Sequence, residues 1–423
     1  MRRFVVGLTM SALTTSAHRI TRYHVLVFIG CWLGGMFDGM DSTLMTVVLP
    51  SAIGDLVHSM APEVIGHYGS LVGSAFLFGW MLGGVLIGMV GDRLGRIRSM
   101  IVSITLYAVF TGLSGLSQTW WHLALCRFLT GLGIGGELVS ITTFLAEVWP
   151  ERSRAVAIGV LITSYQAGVL VAGTIVKFIP FWRTVFFIGA LPAVLTVLLR
   201  LTLRESERWV ESKQQMREDY RLLGELFAPE HRRNLAVGAI AFGGLLIGYW
   251  ASLSWIPAWI QTFFPPSEGS TQRALATMWQ GSAAVIGCTL AGWLADRIGR
   301  IPTIVISYAG CFLSSVLLFL TNDHFSEVIY AESAALGFFI GLAQAIMYVY
   351  LPELFPTRIR ATAVGFCLNA GRLSTAIAVL FVGVIVRALG GFAQSAMLFA
   401  CAYLFAIAAA WWATETKGKP LPA

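Results

Sequence analysis

Four ionisable residues stand inside long apolar runs and set the chemistry open to this chain: Asp38, Asp41, Glu137 and Arg372. A charge at the centre of a hydrocarbon layer costs roughly 2.5–3.5 kcal/mol even on permissive scales, so each needs a partner, a wet cavity or a task. Asp38 and Asp41 are three residues apart and share one helix face. Two carboxylates on one face repel when both are ionised, so one of them favours the protonated form. Such a group can take up a proton on one side of a membrane and release it on the other. The competing reading is structural: one Asp pairs with Arg127 or caps a helix break at Gly39. Glu137 stands beside Gly133, Gly135 and Gly136, where helices can approach closely. It is a second protonation site or a structural hydrogen-bonding group. Arg127 lies about 80° around the helix from Glu137 and suits an ion pair to another helix. Arg372 offers a planar fork that grips a carboxylate by two parallel hydrogen bonds. Its alternative is a permanent ion pair to Asp38, Asp41 or Glu137. Gln166, Gln344 and Asn369 are polar inside apolar runs and need partners. With Tyr348, Tyr249 and Trp255 they are the candidate substrate contacts, and Tyr165 and Trp250 stand beside them. For any single aromatic, packing is the competing role. The four ionisable groups are expected to meet around one wet chamber.

These residues must be positioned by membrane helices. The chain has 423 residues, 57% of them hydrophobic and 12% charged. A soluble domain carries about 25% charged residues, so lipid is the better solvent for most of this surface. Period-2 alternation is absent, which selects helices over a barrel. Apolar runs of about 20 residues predict spans near 23–50, 67–90, 99–116, 120–147, 155–177 and 181–201, then 235–263, 272–295, 303–320, 325–351, 361–387 and 392–413. The expected fold is all-α, with twelve transmembrane helices in two pseudo-symmetric six-helix bundles. Its divisions are a tail at 1–22, bundles at 23–201 and 234–413, a polar linker at 202–233 and a tail at 414–423. Most of the 29 Lys and Arg fall on the side of the termini and linker. The other side holds Lys177, Arg183, Arg273 and Arg387. Positive charge marks the cytoplasmic face, so both termini are expected there. Trp120, Trp121, Trp411 and Trp412 are expected interface anchors. The six cysteines lie singly in apolar runs and read as small buried residues. No cleavable leader is recognisable at the start.

The halves repeat one another. Gly88-Met-Val-Gly-Asp92-Arg93-Leu-Gly95-Arg96 returns as Gly292-Trp-Leu-Ala-Asp296-Arg297-Ile-Gly299-Arg300, and Glu147-Val-Trp-Pro150-Glu-Arg152-Ser-Arg154 returns as Glu353-Leu-Phe-Pro356-Thr-Arg358-Ile-Arg360. The offsets are 204 and 206 residues, which indicates duplication. Asp and Glu recur beside the arginines in both halves. They suggest a cytoplasmic charge latch between helix ends that holds the outward-facing state and must break for inward opening: Asp92, Arg93, Arg96, Glu147, Arg152 and Arg154 in one half, Asp296, Arg297, Arg300, Glu353, Arg358 and Arg360 in the other. The alternative is topogenic charge alone.

Gly-x-x-x-Asp-Arg-x-Gly-Arg, present twice, resembles the signature of the major facilitator superfamily, and with the closing Glu415-Thr-Lys-Gly418 it resembles the sugar and organic-anion branches. Asp38-Gly-Met-Asp41-Ser and Leu253-Ser-Trp255-Ile-Pro257 look like the aromatic acid/proton symporters. Gly135-Gly136-Glu137 looks like the metabolite/proton symporters of the sialic acid type. The resemblance implies transport by alternating access and an arginine at the position of Arg372 that binds organic acids. Drug antiporters carry a Gly-Pro pair in the fifth helix. Here that helix reads Ser164-Tyr-Gln166-Ala-Gly168 without proline.

The expected function is proton-coupled symport of a small organic anion, a carboxylate such as an aromatic or sugar acid, into the cell across the inner membrane. The chain is expected to act as a monomer in the lipid bilayer, with protons as coupling ion and no other cofactor, no metal and no nucleic acid. A uniporter or exchanger of sugars or other metabolites is the alternative, and a transport-fold sensor ranks lower. No nucleophile–base or metal-ligand constellation suggests an enzyme, and no Gly-Lys-Ser/Thr loop suggests ATP-driven pumping.

Overall fold

Apolar length decides the elements. The computed structural model describes residues 20–201, 226–356 and 359–419. Eleven helices among the described residues are long and apolar enough to cross a membrane. The 20-residue helix Trp182–Leu201, about 30 Å long at 1.5 Å per residue, completes twelve crossings. The first half comprises span 1 (Arg22–Val57), span 2 (Pro62–Leu94), span 3 (Arg96–Ser114), span 4 (Trp120–Val148), span 5 (Glu151–Phe178) and span 6 (Trp182–Leu201). The second comprises span 7 (Pro229–Gln261), span 8 (Ser270–Ile298), span 9 (Arg300–Thr321) and span 10 (Val328–Glu353), then span 11 (Arg360–Leu380, continued by Val382–Leu389) and span 12 (Phe392–Ala400, continued by Ala402–Ala410). Trp121, Trp411 and Trp412 are exposed near span ends.

The repeated motif has a backbone reason. Gly95 and Gly299 are the N-caps of spans 3 and 9, at φ 110° and 107°, a region open to glycine alone. Glycine also sets the helix pairing. A Cβ on Gly135 of span 4 would lie 2.0 Å from the Trp80 carbonyl oxygen of span 2, and one on Gly341 of span 10 would lie 2.0 Å from that of Ala284 in span 8. The backbones touch, as small residues allow between membrane helices, and the same pairing recurs in the two halves.

The halves meet on the side away from the termini. Span 5 packs on span 8 at Gly173 against Ala274 and Met278, and span 2 on span 11 at Gly66 against Gly383. Towards the termini a Cβ on Gly159 of span 5, Gly292 of span 8 or Gly365 of span 11 would meet nothing within 4 Å. Among the described residues the glycine contacts across the boundary gather at the face away from the termini, which is sealed.

Four expectations need correction. Span 7 is not a continuous helix over 235–263. It starts at Pro229, opens into a π turn at Gly248–Ser252 and a 3-10 turn at Leu253–Trp255, and ends as the short helix Ile256–Gln261. Pro257 cannot donate to the Leu253 carbonyl and its ring crowds it. Beside the π turn, the Tyr403 ring fills the space where a Cβ on Gly248 would stand. Span 1 runs past Pro50 to Val57 and stops at His58, φ 57°. Spans 11 and 12 break for one residue at Phe381 and Cys401. Arg273 is not a loop charge: it is 3% exposed, inside span 8.

Candidate functional site

Two buried centres emerge, one holding Asp41 with Arg127 and the other Arg372. The first lies within the first half. Arg127 Nη1 meets Asp41 Oδ2 at 3.2 Å, both side chains essentially without solvent contact. Thr111 Oγ1 donates to Asp41 Oδ1 at 2.5 Å and accepts from Arg127 Nη2 at 3.0 Å. Thr130 accepts from the same nitrogen and Ser114 from Nε, each at 3.0 Å. The guanidinium also sits 4.8 Å from the Phe186 ring centroid. A buried pair survives only when its remaining donors and acceptors are bonded, and here hydroxyls from spans 3 and 4 do that. One turn away, Ser42 Oγ donates to the Asp38 carbonyl at 2.6 Å and meets the Tyr165 hydroxyl at 2.9 Å. The acidic turn of span 1 is thereby joined to the wall of the second centre.

The second centre is a cavity between the halves. Trp80, Tyr165, Phe242, Tyr249, Trp250 and Tyr348 supply aromatic walls, with Leu77, Leu245, Leu246 and Ile340 between them. Gln344, Thr375 and Arg372 supply polarity. Ile340, Gln344 and Tyr348 fall four residues apart on one face of span 10, while Tyr249 and Trp250 reach the cavity because the π turn displaces them from helical register. Trp80 and Tyr165 stack, centroids 6.3 Å apart at 26°. Arg372 is 4% exposed. Its Nη1 donates to Asn369 Oδ1 at 3.2 Å, and its guanidinium lies 5.4 Å from the Trp80 centroid. Among the described residues no carboxylate lies within ion-pair distance of it. Trp80 Nε1 is buried without a hydrogen-bond partner. The cavity thus presents donors, a cation and aromatic faces, a surface suited to a small planar anion.

The expected common chamber is not what the structure shows. Of Asp38, Asp41, Glu137 and Arg372, the cavity is lined by Arg372 alone. Asp38 and Glu137 are buried in spans 1 and 4, and Asp41 is sealed with Arg127. Beside Glu137, spans 2 and 4 touch at Gly135 against Trp80 and at Gly136 against Ile87. Tyr249, Gln344 and Tyr348 line the cavity as substrate contacts should. Gln166 donates instead to Gln344 in a short bond across the halves. Asn369 holds Arg372. Trp255 stacks on Phe392 at 5.5 Å, against Gly69, and belongs to the seal rather than to the cavity. Trp80, not singled out by sequence, is the wall to which Arg372 is applied.

At the terminus side, the side chains of Asp92, Arg93, Arg96, Glu147, Arg152, Arg154, Arg358 and Arg360 lie outside the described residues. In the second half Arg300 grips Glu353 with two nitrogens, at 3.1 and 3.0 Å, and Asp296 at 2.9 Å. Arg297 lies over the Trp293 ring instead. The described part of the latch therefore ties helix ends within one half. The tail completes it: Glu415 accepts from the backbone N–H of Arg300 at 3.0 Å and Ile301 at 2.9 Å, and Thr416 Oγ1 donates to Glu353. Burial opposes the Glu415 charge, but the backbone donors of Arg300, Ile301, Lys417 and Thr416 prevail and hold its carboxyl below the usual value.

Two pseudo-equivalent helical bundles around a central cavity are the architecture of a secondary membrane transporter. The chain belongs to the Major Facilitator Superfamily, whose sequence profile matches residues 31–323 and 269–423. It is 29% identical over 402 residues to a protein of Cupriavidus pinatubonensis described as a probable 4-methylmuconolactone transporter, covering 92% of this chain and 90% of that protein. It is 27% identical over 399 residues to the cis,cis-muconate transport protein of Acinetobacter baylyi, with 90% and 93% covered. Its fold is similar to that of the xylose transporter XylE from E. coli in a partially occluded inward open conformation, with TM-score 0.77, 19% identity, and 95% and 100% of the two chains covered.

Proposed function

We propose that this protein carries a small organic anion, a carboxylate, into the cell together with one or more protons, by alternating access. The observation that carries the reading is Arg372: a buried cation at the wall of an aromatic cavity, with no carboxylate of the described chain to neutralise it. A substrate carboxylate supplies that partner through two parallel hydrogen bonds, and a planar body lies against Trp80, Tyr165 and Tyr348. The names of the muconate and methylmuconolactone relatives support the same class. Positive charge on the terminus side supports a cytoplasmic placement of both ends in the inner membrane; the sealed face is then outermost and the protein faces inward.

Asp41 is the proposed proton carrier. Protonation removes its charge from Arg127, while Thr111, Thr130 and Ser114 still hold the guanidinium. The Ser42–Tyr165 contact links that event to the cavity wall. The pair is sealed from the cavity in this state, which favours a second reading, anion exchange without protons.

A thermal-shift screen of the purified protein against aromatic acids, dicarboxylates, sialic acid and sugars tests the substrate class. Ligand at 100 times Kd adds about 2.7 kcal/mol to stability, so a cognate carboxylate raises Tm in wild type and not in Arg372→Gln. Stabilisation by sugars alone, equal in both proteins, contradicts the reading.

A further inference from the structure

A second, narrower hollow adjoins the cavity. It shares Tyr249 and Trp250 with it and reaches along spans 1, 7 and 8 towards the sealed face. Its polar lining is made of hydroxyls and one amide: Ser42, Thr43, Thr46, Ser254, Thr277 and Gln280. Thr277 is 4% exposed. One turn beyond Thr277, at the outer end of span 8, stands Arg273. Its Nη1 donates to the Val47 carbonyl at 3.0 Å and its Nη2 to Ser51 Oγ at 3.0 Å, both on span 1 in the other half. Its Nε has no hydrogen-bond partner, and among the described residues no carboxylate lies within ion-pair distance.

The contrast with Arg127 is instructive. That arginine has a carboxylate, bonds at all three nitrogens and partners within its own half. Arg273 is buried at equal depth with neutral partners across the boundary between halves. A charge without a counter-ion is costly to bury, and its hydrogen bonds exist only while spans 1 and 8 are together. Once they part, the guanidinium is rehydrated at the mouth of the hydroxyl-lined hollow. Contacts that separation of the halves would exchange for water are what a conformational switch requires.

We propose that Arg273 latches the two halves at the face away from the termini, and that on opening it becomes the first cation an incoming anion meets, at the entrance of a hydroxyl-lined antechamber leading to Arg372. The inference rests on the alternating-access reading but is testable without a substrate. Thr277→Cys, in the full chain in intact cells, is treated from outside with membrane-impermeant thiosulfonates, one anionic and one cationic, and its labelling is measured above that of the parent without this cysteine. With Arg273 present, labelling is slow and the anionic reagent is the faster of the two. Adding Arg273→Gln speeds the cationic reagent about tenfold, as expected when a two-state equilibrium loses charge-assisted hydrogen bonds, and abolishes the preference for the anion. Ser51→Ala speeds both reagents by a smaller factor and keeps the preference. Unchanged rates in Arg273→Gln overturn the latch, and an unchanged reagent preference overturns the capture role. Where Arg273→Gln does not reach the membrane, Ser51→Ala decides, and labelling equal to that of its parent overturns the proposal.

Discussion

Arg372 and Arg127 are both buried arginines, and their neighbours separate their tasks. Arg127 is satisfied by the chain, so removing Asp41 leaves a stranded cation, whereas Arg372 keeps donors for a visitor. Arg372→Lys retains charge but loses the fork. It is expected to raise the uptake KM about tenfold or more, the effect of losing one charge-assisted hydrogen bond, with Arg372→Gln more severe; concentration-dependent uptake of the carboxylate found in the screen measures both. Trp80→Phe keeps the aromatic face and removes Nε1–H, and is expected to raise KM about fivefold while leaving Tm in place. Arg372, Gln344 and Tyr348 were legible in the sequence because a polar group in an apolar run has few explanations. Trp80 was not, since a tryptophan in a span reads equally well as packing or as an anchor. Arg273 was missed because a cation near a span end resembles a loop charge until the partner helix is seen.

At the scale of elements, the repeated Asp-Arg-x-Gly-Arg motif positions helix ends through backbone geometry as well as charge. Gly299→Ala forces a Cβ into a glycine-only conformation, 2.9 Å from Glu415 Oε2. Such strain costs about 1–3 kcal/mol, so a lowered Tm is expected by thermal unfolding in detergent. Glu415→Gln removes the anion that caps span 9 and is expected to lower Tm by about 2 °C, near what 1 kcal/mol gives in a large domain. The pH dependence has a definite sign. The folded-state carboxyl is held below its ordinary value, so its stabilisation is present above the ordinary glutamate range and fades as pH falls through the folded value. The Tm difference between wild type and Glu415→Gln should therefore hold at neutral pH and shrink in acid. The twelve spans were readable from apolar length alone. The break in span 7 was not, because Pro257 announces a weak point while the π turn lies against Tyr403, a residue some 150 positions away.

Across the whole molecule, the two halves were evident from the internal repeat, but their relation was not: a transporter sequence must serve more than one arrangement, so the sealing of the face away from the termini belongs to this one. The expectation that all four intramembrane ionisable groups share one chamber did not hold, since only Arg372 of the four lines the cavity. Glycine seams pair spans 2 and 4 beside Glu137. On the proposed reading, coupling passes from the Asp41–Arg127 pair to the cavity through the Ser42–Tyr165 contact. Asp41→Asn is expected to abolish gradient-driven accumulation while sparing counterflow, measured in the same vesicles. Loss of both activities would instead assign Asp41 a structural role.

The most direct measurement is uptake of a radiolabelled carboxylate from the screen into proteoliposomes, with and without an inward proton gradient, for wild type and Arg372→Gln. Accumulation above equilibrium only with the gradient, and only with Arg372 present, is the predicted result. Equal uptake by the two proteins, or accumulation indifferent to collapse of the gradient, would contradict the account at the cavity or at the proton respectively.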